Sequence, residues 1–381
     1  MDDLNLVLKE TIFNNGMLYF NALLSDIQQA CQSIDMAAYI FDDDMIGEKV
    51  LASLCAAASR GVQIRLMVDG NGTPNWSAKY AIQLEKYGIQ TRVYHPFPWR
   101  FWDWKRAVVK KPRLTQWLYL LANINKRDHR KMAIIDQRIV FVGSCNISKK
   151  HVPVDYGGMG WHDIAVRLDL SDVKPLQKAF DYSFTHYPIK DRIQQSVGEV
   201  SAASVFRLNY SRHQRRSLYK NLLKKIMKAK ERIWLTNAYF LPDNFLLKTL
   251  KIAAARGVDV KILLPKKSDV FIMPWASETF YRSLIESGVE IYEYLPSVLH
   301  AKILIIDDWV SIGSSNLNHR SLLHDLEVDV SLQTHQAKAQ VCEQFCEDMK
   351  KSDQVSLCDW SQRPWHRRFL GQLVLYVKYV L

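Results

Sequence analysis

Two short stretches of this chain carry residues whose types and spacing suit chemistry on phosphorus. His129-x-Lys131 is followed, after four further residues, by Asp136 and then by Gly143-Ser144-x-Asn146. His300-x-Lys302 is followed in the same way by Asp307 and Gly313-Ser314-x-Asn316. An imidazole can attack phosphorus or move a proton near neutral pH, a lysine supplies a cationic donor, and serine and asparagine supply neutral ones. One H-x-K alone is a weak signal, since core histidines are common. Two copies at matching places are hard to explain as core. Two successive displacements at one phosphorus need a nucleophile on one side and a proton donor and acceptor on the other. A symmetric pair supplies both.

The elements that position these residues can be read from the same stretches. Side chains alternate along a strand, so His129 and Lys131 emerge on one side, as do His300 and Lys302, and as do Ser144 with Asn146 and Ser314 with Asn316 on the return. The runs Ala133–Ile135 and Ile303–Ile306 are apolar on both faces, as a central buried strand requires. Between Asp307 and Gly313 the second stretch is one residue shorter than the first, which predicts a tighter hairpin turn with both ends intact.

The whole chain repeats this order. An amphipathic helix ends at Arg60-Gly61 or Arg256-Gly257 and a β-branched strand follows; a second helix ends at Gly88 or Gly288 and feeds another strand; then comes the hairpin. Alternation of helix and strand predicts an α/β fold with mostly parallel mixed sheets flanked by helices. The boundaries are placed at residues 1–190 for the first lobe, 191–204 for a polar linker and 205–381 for the second lobe. From Gly88 to His129 is 41 residues against 12 from Gly288 to His300, so the first lobe carries an insert at about 96–128.

Two H-x-K-x(4)-D motifs followed by G-S-x-N resemble the phospholipase D superfamily, over nearly the whole chain. The resemblance implies two lobes related by a pseudo-twofold axis and one shared site without metal or cofactor. His129 would be the nucleophile that forms a phosphohistidine, and His300 the general acid/base. Lys131, Lys302, Asn146 and Asn316 would bind phosphoryl oxygens, assisted by Ser144 and Ser314. A carboxylate downstream of each motif, Asp163 and Glu327, would orient the histidines. Asp136 and Asp307 complete the six-residue catalytic motif pair, yet their distance along the strand suits a structural tie better.

Composition narrows the substrate. Apolar residues make up 48% and charged residues 24%, which excludes global disorder, and 51 Lys and Arg against 39 Asp and Glu give a net charge of +12. Anionic partners follow: lipid surfaces, nucleic acid or a phosphate-bearing substrate. In the insert, Trp99, Phe101, Trp102, Trp104 and Trp117 alternate with Arg100, Lys105 and Arg106, a mixture suited to an anionic bilayer interface and also to single-stranded nucleic acid. The apolar run from Leu114 to Ile124 favours lipid, so the expected partner is an anionic phospholipid membrane and no nucleic acid is expected. The C-terminal run from Phe369 reads either as an interfacial anchor or as a core element.

The six cysteines have no metal-type spacing, no signal peptide is expected from the acidic first residues, and no stretch reaches about 18 apolar residues, so any contact with a bacterial cell membrane is expected to be peripheral. Among superfamily activities, the layout resembles cardiolipin-forming phosphatidyltransferases acting on phosphatidylglycerol. Hydrolysis of phospholipids, or of nucleic acid and other phosphodiesters, is the competing expectation.

Overall fold

The computed structural model describes residues 7–73, 76–185 and 205–376. The linker expected at 191–204 and the last residues of the C-terminal run lie outside them. Two sheets form the framework. The first has seven strands in the order β1-β7-β6-β5-β2-β3-β4, where β1 is Val7–Phe13, β2 Ser33–Ala38, β3 Gln63–Asp69, β4 Gln90–Tyr94, β5 Met132–Ile135, β6 Ile139–Gly143 and β7 Ala165–Leu170. The second has eight, β15-β11-β10-β9-β12-β13-β14-β8, with β8 Phe206–Leu208, β9 Arg232–Thr236, β10 Asp259–Pro265, β11 Glu290–Tyr294, β12 Ile303–Ile306, β13 Trp309–Gly313, β14 Val328–Ser331 and β15 Ser352–Gln354.

Taking β8 to β14 as the counterparts of β1 to β7, the two strand orders coincide, with β15 added at one edge. The α/β class, the two lobes and the internal duplication all stand. The expectation of mostly parallel sheets does not. Parallel pairing is confined to β2-β3-β4 and β9-β10-β11, the segments joined by helical crossovers, while the hairpins and the strands beside them pair antiparallel. A hairpin needs no crossover helix, so the motif strands add to the edge of the parallel unit in the opposite direction.

The predicted helix ends hold. Gly61, Gly88, Gly257 and Gly288 all have positive φ between 78° and 94°, the left-handed conformation that closes a helix and turns the chain toward a strand.

The apolar motif strands are buried on both faces because each face meets a different core. Met132 and Ile134 of β5 pack in a cluster with Ile303 and Ile305 of β12, joining the lobes, whereas Ala133 and Ile135 pack under the helices of the first lobe. Ile306 of β12 packs within the second lobe's own core. Burial of such aliphatic side chains contributes about 1.5–3 kcal/mol each. The contact between lobes is therefore made by the backs of the same strands whose ends carry the histidines.

Candidate active site

Each hairpin ends at the contact between lobes, and there the chain crosses over. The Asp128 backbone bridges to Leu326, and His162 bridges to Leu299, both in parallel register. His129 N–H donates to the Leu326 carbonyl (2.9 Å) and His300 N–H to the His162 carbonyl (2.8 Å). This seats each histidine beside the carboxylate of the other lobe. His129 Nδ1 lies 3.0 and 3.1 Å from the two Glu327 oxygens, and His300 Nδ1 lies 2.7 Å from Asp163 Oδ1. Asp163 and Glu327 are both found with the histidines as expected, with each serving the histidine of the opposite lobe.

Backbone donors fix the direction of these hydrogen bonds. Ser314 Oγ accepts from Val328 N–H (3.0 Å) and Ser321 Oγ from Asn316 N–H (2.8 Å), so both hydroxyl protons point to Glu327, at 2.5 Å each. On the other side, His151 Nε2 accepts from Asn146 N–H (3.0 Å), which places its proton on Nδ1, 2.5 Å from Asp163 Oδ2. Each carboxylate thus accepts from its catalytic histidine at Nδ1 and leaves Nε2 with a free lone pair or proton for the cleft.

The glycines of the two motifs have a steric reason. A Cβ on Gly143 would sit 2.5 Å from the Ala165 Cβ and one on Gly313 would sit 2.5 Å from the Asp329 backbone, so only glycine lets the strand bearing the carboxylate come this close.

Burial and like charge decide the protonation of the site. Burial pushes Lys131 down to about 7, against Glu327 and with help from Lys302, and pushes Lys302 down to about 8 against Asp163, Asp269 and Glu327. Burial and the two lysines hold His129 well below its usual value, and burial with Lys302 and His151 brings His300 to about 4 against the pull of Asp163. Burial lifts Glu327 to about 7 despite Lys131. Asp163 feels the same burial, but His151 and His300 overcome it and keep the carboxyl well below the usual range. The two buried lysines stand close together beside the histidines, so they repel one another in part despite Asp163 and Glu327. A phosphodiester monoanion removes that repulsion and restores charge to the lysines.

His129, His300, Asn146 and Asn316 line one cleft of about 280 Å³ between the lobes, walled by Tyr39, Trp161 and Tyr239 and reached by Arg320 and Asp269. Lys131 and Lys302 are buried, each ammonium donating to the carbonyl of its own histidine. Tyr39 meets the His129 ring edge-on at 4.7 Å and Trp161 lies 5.7 Å from the His300 ring.

Four expectations need correction. Ser144 is fully buried and both accepts from and donates to the Ile164 backbone, so it ties β6 to the strand bearing Asp163 and has no proton left for phosphate. Ser314 spends its proton on Glu327 and acts on the histidine through it. Asp136 and Asp307 are outside the reacting group: each sits in its hairpin turn at φ 50° and accepts three successive backbone N–H groups, from Cys31, Gln32 and Ser33 or from Lys230, Glu231 and Arg232. In the insert, Arg106 is buried in a two-pronged pair with Glu85 (2.7 Å each), Arg100 donates to the Gly70 carbonyl, and Trp104 is half-buried against Phe101. These three brace the insert, while Trp99, Phe101, Trp102, Lys105 and Trp117 stay exposed.

His151 escaped the sequence reading, although a signal existed. It stands five residues after Asn146, as Ser321 stands five after Asn316. The cleft walls Tyr39, Trp161 and Tyr239 and the charged Arg320 and Asp269 were missed because they come from turns and loops with no shared spacing.

A family model described as "Cardiolipin synthase, PLD-like domain" matches residues 23–180 and 222–349, the stretches that carry both motifs. The chain belongs to this phospholipase D-like family. Its curated relatives include "Cardiolipin synthase B" of Salmonella typhi, 33% identical over 84% of this chain and 75% of that protein. They also include "Cardiolipin synthase" of Halalkalibacterium halodurans, 30% identical over 94% of this chain and 69% of the relative. Among solved structures, the phosphatidylserine synthase of Haemophilus influenzae superposes with a TM-score of 0.72, covering 99% of this chain and 97% of the other at 12% identity, a likeness of fold. Within the cardiolipin synthase-like family, this chain is an enzyme of the phosphatidyltransferase type.

Proposed function

We propose that the enzyme forms cardiolipin from two molecules of phosphatidylglycerol, with release of glycerol, through a phosphohistidine. The observation that carries this reading is the pair of histidines from opposite lobes in one cleft, each with Nδ1 held by a buried carboxylate. His129 Nε2 attacks phosphorus, the N–P bond forms, and the bond to the headgroup oxygen breaks as His300 gives that oxygen its proton. The glycerol hydroxyl of a second phosphatidylglycerol then loses its proton to His300, attacks phosphorus and displaces His129. The side chain of His129 is the more open to the cleft, 11% exposed against 4% for His300, and it carries the less strongly ionised carboxylate. Both features suit a neutral nucleophile. An ionised Asp163 suits the imidazolium that His300 must become. Lys131, Lys302 and the Asn146 and Asn316 amides stabilise the charge on the phosphoryl oxygens.

Access to lipid is supported by an inverted helix. In the insert helix Arg113–Ala122, Leu114, Trp117, Leu118 and Leu121 recur at helical spacing on the exposed face, while Gln116 and Leu120 are buried. Together with Trp99, Phe101 and Trp102 this forms an apolar surface edged by Lys105, Lys110, Lys111 and Arg113, suited to a peripheral seat on an anionic bilayer. The C-terminal helix Trp365–Tyr376 is partly anchored by core contacts: it packs on the helix Met273–Ile285 at Gly371, and exposes Trp365, Phe369, Leu370 and Leu373. No described helix is long and apolar enough to cross a membrane.

The test is mass spectrometry of phosphatidylglycerol vesicles incubated with purified protein. Cardiolipin and free glycerol in equal amounts are expected. Phosphatidic acid alone would make the enzyme a hydrolase, and cleavage of single-stranded DNA with intact vesicles would move the substrate outside lipid. Sedimentation with these vesicles, lost in a Trp99→Ser, Phe101→Ser, Trp102→Ser variant, checks the seat on the bilayer.

A further inference from the structure

The cleft contains one carboxylate that the reaction described above does not use. Asp269 lines it on the loop between β10 and the helix Met273–Ile285, beside Val270 and Met273. Its oxygens accept the Tyr239 hydroxyl at 2.7 and 2.6 Å and the Ser268 hydroxyl at 3.2 Å, and among the described residues no lysine or arginine pairs with it. The other acids of the cleft are spoken for: Glu327 by His129 and two serines, Asp325 by Arg320 (3.0 Å) and the Arg127 N–H (3.0 Å). An anion facing a site for phosphate opposes phosphate binding, so its presence needs another ligand. Among the described residues the duplicated lobe offers no counterpart: after β3 the turn carries Asn71, whose amide donates to the Tyr39 hydroxyl, and Thr73, whose hydroxyl donates to the Asp69 carbonyl. The carboxylate breaks the twofold symmetry on the side of His300; desolvation raises its pKa, but His300, the Tyr239 hydroxyl and Lys302 outweigh it and hold the carboxyl below its usual value.

We propose that Asp269, held by Tyr239, is a headgroup subsite that binds the hydrogen-bond donors of the alcohol leaving from or arriving at His300. This rests on the reading of His300 as the proton donor to the headgroup oxygen. A carboxylate with two oxygens accepts a pair of hydroxyls, as on glycerol, or a primary ammonium, as on ethanolamine. It repels a second phosphate and finds no donor on a simple alkanol beyond the one hydroxyl that reacts at His300. The neighbouring Phe271, 73% exposed, and Val270 place apolar surface next to this acid, where the acyl region of the lipid would lie. The subsite thus ranks headgroups by donor content, while the histidines, lysines and asparagines treat all phosphodiesters alike.

The experiment uses the full chain and measures headgroup release from phosphatidylcholine vesicles carrying phosphatidylglycerol, phosphatidylethanolamine or phosphatidylbutanol. For Asp269→Asn, the rate ratio of phosphatidylglycerol to phosphatidylbutanol is expected to fall at least tenfold, and for Tyr239→Phe by about threefold, roughly the worth of one charge-assisted and one neutral hydrogen bond. A fall in the ethanolamine-to-butanol ratio alone would also support the subsite and assign it to ammonium. Ratios that stay within twofold of the parent in both variants, whatever the absolute rates, overturn it. A parent protein that cleaves none of the three lipids overturns the phosphatidyltransferase reading, and the subsite with it.

Discussion

The two halves of the site share a backbone and differ in what surrounds the carboxylate. Around Glu327 stand two serine hydroxyls and His129; around Asp163 stand two imidazoles, His151 and His300. Ser321 and His151 occupy equivalent places and accept equivalent backbone N–H groups, but burial lifts Glu327 to about 7 despite its serine hydroxyls, whereas the His151 imidazole helps keep Asp163 ionised. A duplicated frame thus gives its two histidines carboxylates that differ in ionisation, with a hydroxyl behind one acid and an imidazole behind the other. The difference suits a division of labour between attack and proton transfer.

Replacing either catalytic histidine should produce the largest effect. His129→Asn is expected to remove the covalent phosphoenzyme and at least 10³-fold in rate, while His300→Asn loses about 10²- to 10⁴-fold yet still becomes phosphorylated by a diester with an acidic leaving group. Acid-quenched trapping of phosphoprotein distinguishes them; phosphoenzyme in His129→Asn and none in His300→Asn would exchange their roles.

Next come the carboxylates. Asp163→Asn should cost about 10²-fold or more in kcat because His300 loses both its orientation and its counter-charge, with Glu327→Gln costing less. Stability should move the other way for Glu327. Its folded pKa of about 7 exceeds the unfolded value near 4.5, so the folded state holds the proton more tightly. That contribution is fully present below about pH 4.5 and is lost as pH rises through 7. Urea unfolding of Glu327→Gln against the parent should therefore shift in favour of the variant between pH 4.5 and 7.

His151→Ser copies the other half. It is expected to lower kcat about tenfold and to alter the acidic limb of its pH profile, whereas a variant that merely loosened the fold would lower kcat without moving the limb. The shared lysines give a pH effect of their own. With Lys131 near 7 and Lys302 near 8 in the free enzyme, kcat/KM should decline as pH rises through that range, because the deprotonated lysines no longer attract the anionic diester. kcat at saturating substrate should hold to higher pH, since bound phosphate favours the charged lysines.

The smallest effect should be the most symmetric. Asp136→Ala and Asp307→Ala each remove an acceptor of three backbone N–H groups and should lower stability by about 1–3 kcal/mol, with similar kcat in the folded fraction. Unequal losses would show that the shorter second turn shares its load differently.

Much of this arrangement was legible in the chain. His129, Lys131, Asn146 and their counterparts follow from strand alternation and from repetition, and the duplication predicts the two lobes. Ser144 and Ser314 were misplaced because alternation gives the side of a strand and not the neighbour, and the neighbour here is the strand bearing a carboxylate. The exchange of Asp163 and Glu327 between lobes is invisible to any local pattern, since it depends on how β5–β7 pack against β12–β14. The overestimate of parallel pairing has a similar cause: helix and strand alternation describes the three strands joined by crossovers and is silent about hairpins added beside them. Arg106 was taken for surface because Glu85, its partner, lies 21 residues away in sequence.

The crossed carboxylates make each lobe unable to own a working histidine. Cut between the two, the chain would give two fragments, each carrying one motif and the orienting acid for the motif it lacks. Activity is therefore a gauge of lobe docking: any stress that parts the lobes silences both histidines together, before either lobe need unfold.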